Sequence, residues 1–175
     1  MYKVGDKVVY PHHGAGTVVK KEQREVLGQK REYLTIKILH NDMTVNVPAE
    51  NCETVGLRKV INEDTVKEVV KALTGTGTTM PKNWNRRFKH NRDKMKTGDI
   101  FELAEVVRNL SLRDRDKGLS TGEKQMFVKA KKILISELMY AKGMDEEETA
   151  EWLDGVLVSD AGTKKKSRAK AGAAA

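Results

Sequence analysis

A cluster of cations around one tryptophan is the part of the chain whose residue types could bind a polyanion. Seven basic residues fall within fifteen positions, namely Lys82, Arg86, Arg87, Lys89, Arg92, Lys94 and Lys96. Asp93 is the only acidic residue among them, and Trp84 lies near their start. Because phosphates attract such clusters, the segment predicts a nucleic-acid surface. We expect Arg86, Arg87 and Lys89 to contact DNA phosphates.

Trp84 has two interpretations. Tryptophans near helix starts are usually core residues. However, the helix predicted from Trp84 to Lys96 has little other apolar surface, since it offers only Phe88 and Met95. Architectural proteins insert apolar wedges at minor-groove steps, where unstacking costs a few kcal/mol. A wedge of this kind is the second interpretation of Trp84.

The chain shows no catalytic or metal-binding pattern. Its four histidines and Cys52 match no zinc spacing, and Gly75-Thr76-Gly77 lacks the lysine and strand-to-helix context of a P-loop. No Ser/His/Asp arrangement or pair of carboxylates stands out. We therefore expect a binding protein without a cofactor, and an unrecognised nucleic-acid enzyme remains an alternative.

The charge of the 175 residues is unevenly distributed. The formal net charge is +8, of which +3 lies in residues 1–60 and +5 in residues 161–175. The residues between are neutral overall, because an acidic block between Asp145 and Asp154 offsets the cationic cluster. A single cysteine excludes an intrachain disulfide, and no apolar run reaches the ~18 residues of a membrane span. Without a signal peptide, a cytoplasmic, nucleoid-associated protein is expected.

The first part of the chain predicts short strands, and the rest predicts helices. β-Branched, partly alternating residues place strands at Lys7–Tyr10, Ala15–Arg24, Arg31–Leu39 and Met43–Val47, with turns between them. Because alternation is imperfect in the third strand, that strand either bulges or is buried on both faces. About five short strands in under sixty residues suggest a small bent β-barrel of the SH3 or Tudor kind.

Helix signals begin after Gly56. Val66, Val69, Val70 and Leu73 form an apolar stripe, and Asn83 is a candidate N-cap for the helix that begins at Trp84. Capping boxes then open three further helices at Asp99, Ser120 and Asp145. The expected α+β architecture is a barrel at 1–56, a linker at 57–61, a five-helix DNA-binding domain at 62–158 and a disordered basic tail at 159–175.

Five segments resemble the CarD family in order along the chain. The opening Val4-Gly5-Asp6-Lys7-Val8-Val9-Tyr10-Pro11-His12-His13-Gly14-Ala15-Gly16 resembles the RNA-polymerase-interacting domain that CarD proteins share with transcription-repair coupling factors. The further matches are Val47-Pro48-Ala49-Glu50-Asn51, Asn83-Trp84-Asn85-Arg86-Arg87-Phe88-Lys89, Ala104-Glu105-Val106-Val107-Arg108-Asn109-Leu110 and Leu119-Ser120-Thr121-Gly122-Glu123-Lys124. The resemblance covers about residues 1–158 and includes no helicase motif, so it indicates the stand-alone form.

The resemblance implies a mechanism. The barrel would dock on the β-subunit lobe of RNA polymerase by strand addition, while Trp84 wedges into the minor groove at the upstream fork of the promoter bubble. The open complex would then last longer. The implied polymerase contacts are Arg24, Thr44, Val45, Asn46, Val47 and Pro48. Some family members carry arginine where this chain has Asn46, which affects the strength of that contact.

Three points stay open at this stage. Lys124, near a predicted helix N-terminus, is either a further phosphate contact or an ordinary surface lysine. The tail either attracts DNA or only aids solubility. A monomeric open-complex stabiliser is the expected function, and a general architectural DNA-binding protein without polymerase contact is the alternative.

Overall fold

The computed structural model describes residues 1–158, in which a β-sheet is followed by helices. The strands are β1 (Lys7–Tyr10), β2 (Gly14–Val26), β3 (Gln29–Ile38), β4 (Thr44–Pro48) and β5 (Arg58–Lys59). The helices are α1 (Glu63–Thr74), α2 (Trp84–Lys96), α3 (Ile100–Asp116), α4 (Thr121–Lys142) and α5 (146–158), with a 3₁₀ turn at Ala49–Asn51. The architecture is therefore α+β, as predicted. The predicted basic tail lies outside the described residues.

The strands form one antiparallel sheet in the order β4-β3-β2-β1-β5. Within the described residues β4 and β5 are its two edges, so the sheet is open and the prediction of a barrel is wrong in that respect. Strand β5 is too short, at two residues, to reach round to β4. It lies inside the predicted linker and extends the sheet beyond the predicted boundary at residue 56.

A long hairpin of β2 and β3 makes up most of the sheet. Val26 pairs with Gln29, and the two turn residues Leu27 and Gly28 have φ of 53° and 75°. Positive φ at both positions is the type I′ pattern, whose twist suits a two-residue hairpin. The turn therefore consists of Leu27 and Gly28.

The irregular strand is β2, whereas the sequence suggested β3. A register shift between Val18 and Lys20 leaves Val19 exposed, as in a β-bulge, which bends the strand. In β3 alternation is regular: Leu34, Ile36 and Ile38 are buried, and the intervening residues face outward. Together with Val8, Val18, Val47, Cys52 and Leu57 they form the core of this unit.

The helices bury a second core beneath the predicted apolar stripes. Its largest fully buried side chains include Leu73, Leu110, Leu134 and Leu138. The predicted caps are present at Asn83, Asp99, Ser120 and Asp145. Only the box at Asp145 is reciprocal, since Glu148 also accepts from the Asp145 amide.

Helix α4 joins the two units. Its fully buried Glu137 accepts two hydrogen bonds from Arg58, at 2.5 and 2.8 Å, and one from the Ile61 amide at 3.1 Å. At the preceding position of the helix, the Ser136 hydroxyl accepts from the Ala15 amide at 2.9 Å, and Gly14 leaves no room for a side chain beside it. Buried polar contacts of this kind hold the sheet against the helical unit.

Candidate nucleic-acid interface and edge strand

The start of α2 presents an aromatic and cationic stack. The Asn83 side chain caps the helix by accepting from the Arg86 amide at 3.1 Å, so Trp84 is the first helical residue. Since residues four apart share a helix face, Trp84 stacks on Phe88, with ring centroids 5.1 Å apart and planes at 20°. The Arg92 guanidinium lies over the Phe88 ring, 6.0 Å from its centroid.

The Trp84 indole is held in place and open to solvent. Its Nε1 donates to the Ser120 hydroxyl at 2.8 Å, and its ring leans over Gly122 at the start of α4. A Cβ at that glycine would lie 3.4 Å from the indole, at van der Waals distance, so the ring lies close against the first turn of α4. The side chain nevertheless stays 42% exposed, which rules out a core role for it.

Arg87 is placed differently from the prediction. It is only 4% exposed, and its Nη2 and Nε lie 2.6 and 3.1 Å from Glu123 Oε1. Its third nitrogen donates to the Lys82 carbonyl at 3.0 Å. Because the guanidinium is already neutralised and enclosed, the expectation that Arg87 contacts DNA phosphate is wrong for this structure, and its role is to join α2 to α4.

Other cations remain available. Arg86, Lys89 and Lys124 are exposed, and none forms an ion pair within residues 1–158. Lys94, in contrast, pairs with Glu105 at 2.5 Å and is lost from the predicted cluster. The free cations therefore surround Trp84 from both α2 and α4.

Two residues near this surface were missed by the sequence reasoning. Lys129, on α4, and His12, in the turn after β1, approach α2 only in the folded chain. Burial, followed by the charges of Lys129 and Lys96, lowers the pKa of His12 below its ordinary 6.5. The sequence gave no clear signal for Lys129, which lies five residues after Lys124 on a predicted helix.

Strand β4 forms a free edge next to β3. The Ile38 amide donates to the Met43 carbonyl at 2.8 Å, and antiparallel ladders alternate, so Val45 and Val47 direct their backbone groups toward β3. The backbone N–H groups of Thr44 and Asn46 then point away from the sheet. Among the described strands nothing pairs with this edge.

The side chains of β4 divide between two faces. Val47 is buried and Val45 is half-buried over the sheet core, so neither side chain is fully accessible to a partner. Thr44, Asn46 and Pro48 lie on the outer face, where Asn46 accepts from the Thr35 hydroxyl at 2.8 Å. The edge therefore presents polar side chains together with unpaired backbone groups.

Arg24 lies on the same outer face, two strands away. Its guanidinium pairs with Glu22 and lies 5.7 Å from the centroid of the Tyr33 ring, which is itself opposite Pro48. The side chain is 44% exposed, so it stays accessible to a partner although one carboxylate already binds it. Arg24 and β4 are thus parts of one surface, with Tyr33 between them.

Residues 1–158 contain no group of three or more histidine, cysteine or acidic residues arranged to hold a metal ion. Within the same range, no helix is long and apolar enough to cross a membrane.

Comparison with known proteins gives consistent matches to both units. Residues 2–61 match the CarD-like/TRCF RID domain, and residues 68–154 match the C-terminal domain of CarD. The chain is 36% identical over 148 residues to YdeB of Bacillus subtilis (strain 168), described as a candidate transcription factor, covering 85% of this chain and 97% of that protein.

Two solved structures from Myxococcus xanthus also match about a third of the chain. The solution structure of the CarD N-terminal domain is 36% identical, with a TM-score of 0.30, over 34% of this chain and 79% of that one. The CdnLNt structure is 41% identical, with a TM-score of 0.31, over 36% of this chain and 89% of that one. With matches to both family domains and to a relative over nearly its full length, the chain belongs to the CarD family of transcription factors.

Proposed function

We propose that this protein binds the β subunit of RNA polymerase through β4 and the upstream fork of the promoter bubble through the start of α2. It acts there as a monomer in the cytoplasm, without catalysing a reaction, and stabilises the open promoter complex. The observation that carries the proposal is the exposed Trp84, held by Ser120 and Phe88, among cations that form no ion pair within residues 1–158.

The polymerase contact is supported by the free edge of β4. A partner strand can pair with outward backbone groups at such an edge, and side chains then set specificity. Thr44 and Asn46 supply those backbone groups. Arg24, on the same surface of this protein, can donate a charge-assisted hydrogen bond to an acidic residue of the partner.

The DNA contact is supported by the geometry around Trp84. The indole is fixed by Ser120 and Phe88, so inserting it between bases costs little additional side-chain entropy. Arg86, Lys89 and Lys124 are placed to bind phosphates on either side of the inserted ring. Since unstacking is already partly complete at a melted edge, the insertion favours open over closed DNA.

The energy required is modest. A contact worth ~1.4 kcal/mol in the open complex, and absent from the closed one, shifts the equilibrium about tenfold. We therefore expect Trp84→Ala to shorten the open-complex lifetime by roughly that factor. Trp84→Phe keeps an apolar ring but loses the bond to Ser120, and should have an intermediate effect.

The test is a promoter-dissociation assay at a weakly melting promoter, with binding to polymerase measured in parallel. The proposal expects a shorter lifetime for Trp84→Ala with unchanged polymerase binding. An unchanged lifetime would refute the wedge. A general architectural protein would instead fail to be retained by the isolated β lobe.

A further inference from the structure

A groove lies between α2, α4 and the turn after β1, and the proposed wedge does not occupy it. Its volume is about 290 Å³. The apolar part of its lining comes from Phe88, Met95 and Met126, and the polar part includes Arg92, Lys96 and Lys129. Its size is near the lower end for pockets that hold small organic ligands.

The groove is cationic. Arg92, Lys96 and Lys129 are exposed, and none has a carboxylate partner within the described part of the chain. His12 completes the rim, and burial, followed by the charges of Lys129, Lys96 and His13, lowers its pKa. An anionic ligand would relieve this unfavourable concentration of positive charge.

The groove is continuous with the Trp84 surface. A Cβ at Gly122, on the groove wall, would lie 3.4 Å from the indole and 3.6 Å from the Phe88 ring. Phe88 itself contacts Trp84 and lines the groove. The groove therefore adjoins the surface where the wedge would separate the strands.

We propose that the groove binds one unpaired nucleotide of single-stranded DNA, with its base against Phe88, Met95 and Met126 and its phosphate against Arg92, Lys96 and Lys129. The inference rests on the proposed function, since the melted promoter supplies that strand. A captured nucleotide opposes re-pairing next to the wedge, so the two contacts act on the same equilibrium.

An apolar wall beside cations favours a nucleotide over a bare anion. Phosphate alone would leave the methionine and phenylalanine surfaces in contact with water. Apolar and aromatic contact with a base contributes ~1–3 kcal/mol in single-strand binding proteins and tolerates any base. The groove should therefore prefer single strands without strong sequence selectivity.

Methionine-methyl NMR tests this on the free protein. The chain has seven methionines, so ¹³C-methyl labelling reports on the groove at Met95 and Met126 and on the opposite end of α4 at Met139. A short oligothymidylate should move the first two signals upfield by ring current and leave Met139 unmoved. Unmoved Met95 and Met126 signals would overturn the proposal.

Two further probes identify the ligand. Inorganic phosphate should produce no ring-current shift, and equal shifts with phosphate would reduce the groove to an anion site. Thymidine monophosphate should bind more weakly than the oligonucleotide. Equal affinity would assign the groove to a free nucleotide and overturn its role in binding a DNA strand.

A charge-matched pair of variants tests the phosphate contact. Lys129→Gln and Lys132→Gln remove the same charge from exposed positions of α4, but only Lys129 lines the groove. Lys129→Gln should reduce the salt slope of single-strand binding by about 0.7 and Lys132→Gln should leave it nearly unchanged. Equal slopes for the two variants would contradict the proposal.

The outcomes separate this inference from the proposed function. If Trp84→Ala leaves the open-complex lifetime unchanged while oligothymidylate still shifts Met95 and Met126, the wedge fails and the groove stands. If the lifetime falls but those signals do not move, the wedge stands and the groove inference fails.

Discussion

The ion pair between Arg58 and Glu137 should control how firmly the sheet is joined to the helices. The variant to make is Arg58→Ala, which leaves the Glu137 carboxylate inside the protein with only the Ile61 amide as a donor. Removing one member of a buried pair costs about 3–5 kcal/mol, because the remaining charge stays desolvated.

The structure places the expected cost at the lower end of that range. Glu137 has a side-chain exposure of 1%, but Arg58 keeps 27%, so water can enter where the guanidinium was. We expect a loss of about 3 kcal/mol in the free energy of unfolding. For a chain of this size, that corresponds to a fall in Tm of roughly 6–12 °C.

Urea unfolding and calorimetry would measure the loss. The matched control is Arg58→Met combined with Glu137→Met, because replacing both charges by apolar groups removes the desolvation cost and should recover most of the stability. A loss below about 1 kcal/mol in Arg58→Ala, or a double variant as unstable as the sum of the single ones, would refute the reasoning.

Three further predictions concern single sites. Arg87→Ala should destabilise the protein by about 3 kcal/mol, because it removes a cation that neutralises the buried Glu123 carboxylate. Arg86→Ala should change stability by less than about 0.5 kcal/mol and lower the salt slope of DNA binding by ~0.9. The reverse pattern in urea unfolding and salt titration would contradict this assignment. Asn46→Pro removes an outward N–H from β4 and should weaken binding to the isolated β lobe, whereas Asn46→Ala keeps that donor and should bind better than the proline variant. Equal affinities of the two variants would argue against strand addition. Burial lowers the pKa of His12 and His13 below 6.5, so the unfolded chain takes up more protons than the folded one, and stability should fall as the pH drops below about 6.5. Urea unfolding should show a smaller fall in a variant with both histidines replaced by asparagine. An equal fall in that variant would contradict this source of the pH dependence.

Much of the site was visible in the sequence because it depends on local chemistry. The cap at Asn83 and the four-residue spacing of Trp84, Phe88 and Arg92 are fixed by helix geometry alone. The few apolar residues of α2 correctly predicted that the indole would stay accessible. In β4, Thr44 and Asn46 alternate with Val45 and Val47 in the sequence, and this alternation matches the faces that they take in the sheet.

Which cations remain free was decided by the tertiary structure. Arg87 looks equivalent to Arg86 in the sequence, but it meets Glu123, 36 residues away, once α2 packs on α4. Glu123 is three residues after Ser120, the spacing of a capping box, and yet its carboxylate is used for that long-range pair instead. No local pattern distinguishes these two uses of one glutamate.

The same holds for the contacts between the two units. Arg58 and Glu137 are 79 residues apart, and the groove brings His12 and Lys129 together from different units. Helix periodicity, caps and alternation act over a few residues, so the sequence by itself determined the elements and their faces. Ion pairing and groove shape depend on how those faces meet, because desolvation and charge act through space, and only the folded chain decides them.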